Sequence, residues 1–155
     1  GFNTSLSWKG FDLSAIFAYS IGGYIYNRDI TMILHNGSLE GRDWSTEILK
    51  RWTPDNRYTD VPALSTTSND WNSASTRFLQ NNSYMRLKNL TLSYNLPKQW
   101  ISKLSLSSVQ VYVQGDNLFT IHRNQGLDPE QGITGITYYR YPAMRTISGG
   151  INVSF

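Results

Sequence analysis

Apolar and polar residues alternate in five separate runs along the chain, and those runs predict its strands. In the last, over residues 141–155, Ile147, Ile151, Val153 and Phe155 fall on one parity and Thr146, Ser148, Asn152 and Ser154 on the other. An extended segment with that spacing is apolar on one face and polar on the opposite one. At the other end Phe2, Thr4, Leu6 and Trp8 alternate with Asn3, Ser5 and Ser7. Lys9-Gly10 predicts a tight turn with a positive φ at Gly10. In the second strand Phe11, Leu13, Ala15, Phe17 and Tyr19 share a face opposite Asp12, Ser14 and Ser20, with Ile16 and Ala18 breaking the polar set. Gly22-Gly23, Tyr24 and Tyr26 read as the end of that strand. A third run sets Leu90, Leu92, Tyr94 and Leu96 against Thr91, Ser93 and Asn95. In the fourth, Val109, Val111 and Val113 oppose Gln110, Gln114 and Asp116, with Tyr112 among the polar set.

Between the second and third runs, over residues 27–82, alternation disappears. So long a connection is uncommon in a compact domain and is usually functional or disordered. Asn36-Gly37 predicts a turn. A helix follows, with Asp43 as N-cap and Trp44, Ile48 and Trp52 at four-residue spacing on one face. Lys50 and Arg51 complement its dipole and Pro54 stops it. The polar stretch after it, with Pro62, reads as ordered loop. Pro97 ends the third strand and opens a short helix with Trp100, Ile101 and Leu104 as its apolar side. A second long connection runs over 120–139.

Strand lengths near or beyond ten residues exceed the ~5–6 of soluble proteins and match the ~9–11 that a tilted strand needs to cross a bilayer. Short connections (Lys9-Gly10 and 97–107) alternate with long ones, as in membrane barrels with short periplasmic turns and long extracellular loops. Tyr84 and Tyr94, ten residues apart, are expected on one face as members of two aromatic girdles. Arg145 falls on the apolar parity but reaches the interface, where its guanidinium can snorkel. Only 16% of residues are charged and 14% are aromatic, a balance suited to a boundary between apolar and wet surroundings. The net charge is +3 with basic residues scattered, which argues against nucleic acid. There is no cysteine, hence no disulfide or thiolate metal site. No run approaches the ~20 apolar residues of a spanning helix. The expectation is an all-β chain: five antiparallel strands of a larger membrane barrel, without signal peptide and needing an upward strand before Phe2. A soluble β-sandwich, such as a glycan-binding module with the apolar faces as its core, is the alternative.

The run Ser83-Tyr84-Met85-Arg86-Leu87-Lys88-Asn89-Leu90-Thr91-Leu92 and the Leu96-Pro97 turn resemble the C-terminal region of SusC/RagA-type TonB-dependent outer-membrane transporters. Arg51-Trp52-Thr53-Pro54 with Asp60-Val61-Pro62, Val111-Tyr112-Val113 leading into Asp116-Asn117-Leu118-Phe119-Thr120, Asp128-Pro129-Glu130 and Tyr141-Pro142 extend the similarity in order. The resemblance implies a barrel of about 22 strands, of which residues 1–155 supply the last five, with long extracellular loops. It further implies a plug and a TonB-contacting segment outside this chain, a SusD-type surface lipoprotein as lid, and an oligosaccharide or peptide as cargo. Ile151, Val153 and Phe155 resemble the barrel-closing signal read during outer-membrane assembly.

No catalytic, cofactor or metal site is expected. His35 and His122 are placed in loops far apart in sequence. Asp128 and Glu130, with Pro129, Gly126 and Gly132 nearby, read as a turn capping its own backbone rather than an acid–base pair. No nucleophile triad, phosphate loop or zinc spacing occurs. Trp44 and Trp52 read as packing. Trp71, Asn72, Tyr138 and Tyr139, in irregular polar loops, are the candidates for contact with cargo or lid.

Overall fold

The computed structural model describes residues 1–37, 39–68, 70–104, 106–125, 128–130 and 134–155. They form two units: residues 1–22, 82–124 and 142–155, and residues 23–81 with 125–141.

The first unit is an antiparallel meander of five strands, β1 (Phe2–Trp8), β2 (Phe11–Ser20), β5 (Tyr84–Asn95), β6 (Ser108–His122) and β8 (Thr146–Ser154), paired in that order. The other labels belong to short strands of the second unit. The expected turn joins β1 to β2, with Lys9 at φ 46° and Gly10 at φ 88°, the doubly positive pair that matches strand twist in a two-residue hairpin. Between β5 and β6 a four-residue helix, α2 (Lys98–Ile101), follows Pro97; Ile101 is buried but Trp100 is exposed. The expected third apolar member, Leu104, has a side chain outside the described set.

Cross-strand pairing fixes which residues share a face. Rungs such as Leu6–Leu13–Leu92–Val113 are apolar, and rungs such as Ser5–Ser14–Thr91–Gln114–Ser148 are polar. The register slips between Leu87 and Asn89 against both neighbours. Lys88 is the extra residue against β2, and Asn117 opposite adopts φ 52°. Such a bulge shifts every side chain beyond it to the other face. Tyr94 therefore pairs with Phe11 on the apolar face (ring centroids 4.4 Å apart), whereas Tyr84 pairs with Ser20 and His122 on the polar face. The expectation that the two tyrosines share a face is corrected: parity cannot be counted across a bulge. Met85 and Leu87 take the apolar places instead, alongside Tyr19, Ile121, Phe17 and Phe119.

The apolar face is uncovered; Leu6 is 68% and Ile147 73% exposed. A sandwich would bury these residues, so that alternative fails. The polar face is instead cross-linked. Asn95 donates to Asp12 at 2.7 Å, Ser7 also bonds Asp12, and Asn152 donates to Gln110. Asn89 and Gln114 both donate to Asp116, at 2.8 and 3.1 Å. Arg86, 3% exposed, donates from Nε to Thr120. Its neighbour across β2 is Ala18, so the break in the polar set leaves room for a guanidinium.

The second unit is a small three-stranded sheet, β3 (Tyr24–Asn27), β4 (Leu79–Asn81) and β7 (Ile136–Thr137), with β3 in the middle. β2 ends at Ser20, and Gly22 and Gly23 at φ near 80° separate it from β3. Tyr24 and Tyr26 thus belong to another sheet, not to the end of β2. A helix unforeseen from periodicity, α1 (Arg28–Ile33), follows, its N-cap Asn27 accepting from the Ile30 amide. The expected helix from Asp43 is a 3-10 turn over Thr46–Lys50, capped by Ser45. Ser45 captures the Glu47 amide, and the Trp52 amide bonds the Val61 carbonyl, so neither tryptophan lies on a helix. Ile48 and Phe78 are buried. Among the described residues no helix is long and apolar enough to cross a membrane.

Candidate functional site

The second unit contains a cavity of about 420 Å³. Apolar side chains from Met32, Leu39, Ala74 and Ile136 line it, with Tyr26, Arg28, Thr31 and Asn72 as its polar members. The elements explain the placement. Asn27 caps α1, which sets Arg28, Thr31 and Met32 on consecutive turns, and the parallel pairing of β3 with β7 brings Ile136 beside Tyr26. Tyr138 follows directly on β7. Its ring lies 4.6 Å from the Arg28 guanidinium, a cation–π contact worth about 0.5–1 kcal/mol when exposed. The Tyr138 and Tyr139 rings pack with centroids 4.3 Å apart. Tyr139 is held at φ 45°, its amide donating to Asp29 Oδ1 at 3.0 Å.

Of the four loop residues expected to contact cargo or lid, three gather here: Asn72 lines the cavity, and Tyr138 and Tyr139 flank it through Arg28. Trp71, 50% exposed, sits in the 3-10 turn Asp70–Asn72 without lining the cavity. Arg28 was missed by sequence reasoning. The signal was present in Asn27-Arg28-Asp29, a cap followed by an acidic first turn.

His35 is fully buried in the same unit. Nδ1 accepts from the Leu39 amide at 3.4 Å, the Trp44 ring meets the imidazole edge-on at 4.8 Å, and Nε2 has no hydrogen-bond partner. Burial, the largest effect, pushes its pKa below 6.5; the Arg42 main chain opposes that shift and the Arg42 charge adds to it. His122 is not in a loop but ends β6, its Nδ1 2.9 Å from the Asn124 carbonyl. Among the described residues no three His, Asp or Glu side chains cluster as metal ligands. The Glu130 amide donates to Asp128 Oδ1 at 2.9 Å, the self-capped turn expected; Gly126 and Gly132 lie outside the described residues.

Long strands in an unbroken meander, one face apolar and exposed and the other a hydrogen-bonded polar lattice, define a segment of β-barrel wall. No protein-family model matches the chain. Over its whole length it is 34% identical to TonB-dependent receptor P3 of Formosa agariphila and 28% identical to TonB-dependent receptor SusC of Bacteroides thetaiotaomicron, spanning 16% and 15% of those proteins. It superposes on the RagAB peptide transporter with a TM-score of 0.87 at 35% identity, and on the closed-closed state of the RagAB peptide importer with 0.85 at 34%. Each match covers 99% of this chain and 16% of the other. The chain is a portion of a TonB-dependent receptor of the SusC/RagA type. Its relatives are receptors and importers, not enzymes.

Proposed function

We propose that residues 1–155 form the C-terminal five strands of an outer-membrane importer that takes up oligosaccharide or peptide cargo. The observation that carries this reading is the division of the five-stranded sheet into an exposed apolar face and a cross-linked polar face, on strands of 7 to 15 residues. Leu13, Val113, Ile151 and their neighbours face lipid; Asp116, Arg86 and Gln114 face a wet lumen. The connections over 21–83 and 123–145 both leave the same end of the sheet, and being the long ones they are the extracellular loops, with Lys9-Gly10 and 97–107 as periplasmic turns. A SusD-like lipoprotein closes over these loops, and TonB acts through a plug supplied by the rest of a roughly 22-stranded barrel. Ile151, Val153 and Phe155, at the periplasmic end, join the wall to its first strand and mark it for assembly. Trp71, Asn72, Tyr138 and Tyr139 contact cargo or lid.

Growth on the imported nutrient tests this. Deleting the full-length receptor gene is expected to abolish growth limited by uptake, and TonB loss to do the same. Undiminished growth in both strains, or recovery of the receptor in the soluble fraction, refutes the importer reading.

A further inference from the structure

The cavity of the second unit has a polarity that says more about its occupant. Its walls are largely apolar, and one full charge stands at them, the Arg28 guanidinium. Among the described residues no carboxylate lies within ion-pair distance of Arg28, and its guanidinium donates no hydrogen bond. The nearest acid in sequence, Asp29, is engaged by the Tyr139 amide and does not line the cavity. The Arg28 guanidinium stands over the Tyr138 ring, a contact that engages no hydrogen-bond acceptor and so leaves its N–H donors for a planar one. One cation balances one negative charge, which suits a carboxylate better than a phosphate carrying two. Met32, Leu39, Ala74 and Ile136 give the cavity its apolar surface, against which an apolar ligand body packs, beside the polar groups of Tyr26, Thr31 and Asn72.

We propose that this cavity binds a free carboxylate carried on an apolar body, with Arg28 as the anchor, and so favours an apolar acid over its neutral counterpart and over a sugar acid. The inference rests on the importer reading and names the cargo chemistry of that same site. A cavity of this size takes the end of a ligand rather than a whole oligomer, so a chain terminus is the part recognised.

The test is calorimetric titration of the purified full-length receptor with three probes. They are an N-acetylated Leu-Ala-Leu peptide with a free C-terminus, the same peptide as its C-terminal amide, and a galacturonic acid trisaccharide. The free acid is expected to bind roughly tenfold or more tightly than the amide. Arg28→Gln brings the acid down to the level of the amide, Arg28→Lys keeps part of the preference, and Arg57→Gln, an equal charge change elsewhere in the unit, keeps all of it. Equal binding of acid and amide by the unaltered receptor, including no binding of either, overturns the proposal. A preference that survives Arg28→Gln also overturns it, as does a trisaccharide that binds as well as the peptide acid. Fractionation and TonB-dependent growth of the same strains report separately on the importer reading, which stands if only the acid preference is missing.

Discussion

Replacing Gly150 by alanine places a methyl group under the Tyr112 ring, and the structure says how badly it fits. Tyr112 lies on the polar face opposite Gly150. A Cβ on Gly150 would stand 2.7 Å from the phenol oxygen, 2.8 Å from Cζ and 2.9 Å from Cε1. Ordinary contact begins at 3.4 Å, so the ring must move by about 0.7 Å at its outer end. Overpacking of this kind costs about 1–3 kcal/mol, and a ring end that can swing toward the lumen puts the value in the lower half. Alanine also relieves the strand of a flexible glycine, worth about 0.5–1 kcal/mol in its favour. Gly150→Ala alone should therefore be neutral to destabilising by about 1 kcal/mol, while in a Tyr112→Ala background it should stabilise by about 0.5–1 kcal/mol. The assay is a double-mutant cycle on the full-length receptor in detergent, unfolded with guanidinium chloride. If Gly150→Ala has the same effect in both backgrounds, the ring does not sit where the register places it, and the pairing of β6 with β8 is wrong.

His35 gives a pH dependence. Its pKa is lowered by burial, so the folded second unit is favoured fully above pH 6.5, and that stability is lost progressively as pH falls below it, where the unfolded chain takes the proton first. Protection factors over residues 28–37 and 39–48, each taken against the intrinsic exchange rate at the same pH, should fall between pH 7 and 5, and His35→Gln should flatten the change; an unaltered profile refutes the assignment. Deleting Phe155, whose burial is worth roughly 1.5–3 kcal/mol, should cut the yield of heat-modifiable receptor at the cell surface far more than it lowers the stability of inserted molecules. Ser154→Ala on the polar parity should change neither, and equal surface yields for the two variants count against a terminal assembly signal.

The sheet was legible in the sequence because most of its strands keep strict parity. Phe11 to Tyr19 and Val109 to Val113 alternate without insertion, and Lys9-Gly10 specifies its own turn. What could not be read was anything set by a single backbone irregularity. Lys88 is an ordinary lysine in an ordinary strand pattern, yet bulging it moves Tyr84 to the polar face. Two glycines at positive φ detach Tyr24 and Tyr26 from β2, and residues so short in run as Ile136–Thr137 show no period at all. The expected helix after Asp43 failed because Ser45 and Asn56 offer local hydrogen bonds; Asn56 Nδ2 donates to the carbonyls of Lys50 and Arg51, which competes with helical pairing. In the candidate site the aromatic residues were visible by type, but Arg28 entered only once a six-residue helix and a parallel strand pair had brought it to Tyr138.

The central claim is that the sheet is a barrel wall with lipid on one side and water on the other. It is tested most directly by a spin-label scan along Tyr84–Asn95 of the full-length receptor in lipid bilayers, comparing access of oxygen with access of a water-soluble nickel complex. Labels at 94, 92, 90, 87 and 85 should favour oxygen, and labels at 93, 91, 89, 86 and 84 the nickel complex, with the alternation changing phase across Lys88. An alternation that runs through position 88 unbroken, or uniform access to the nickel complex at every site, would contradict the account.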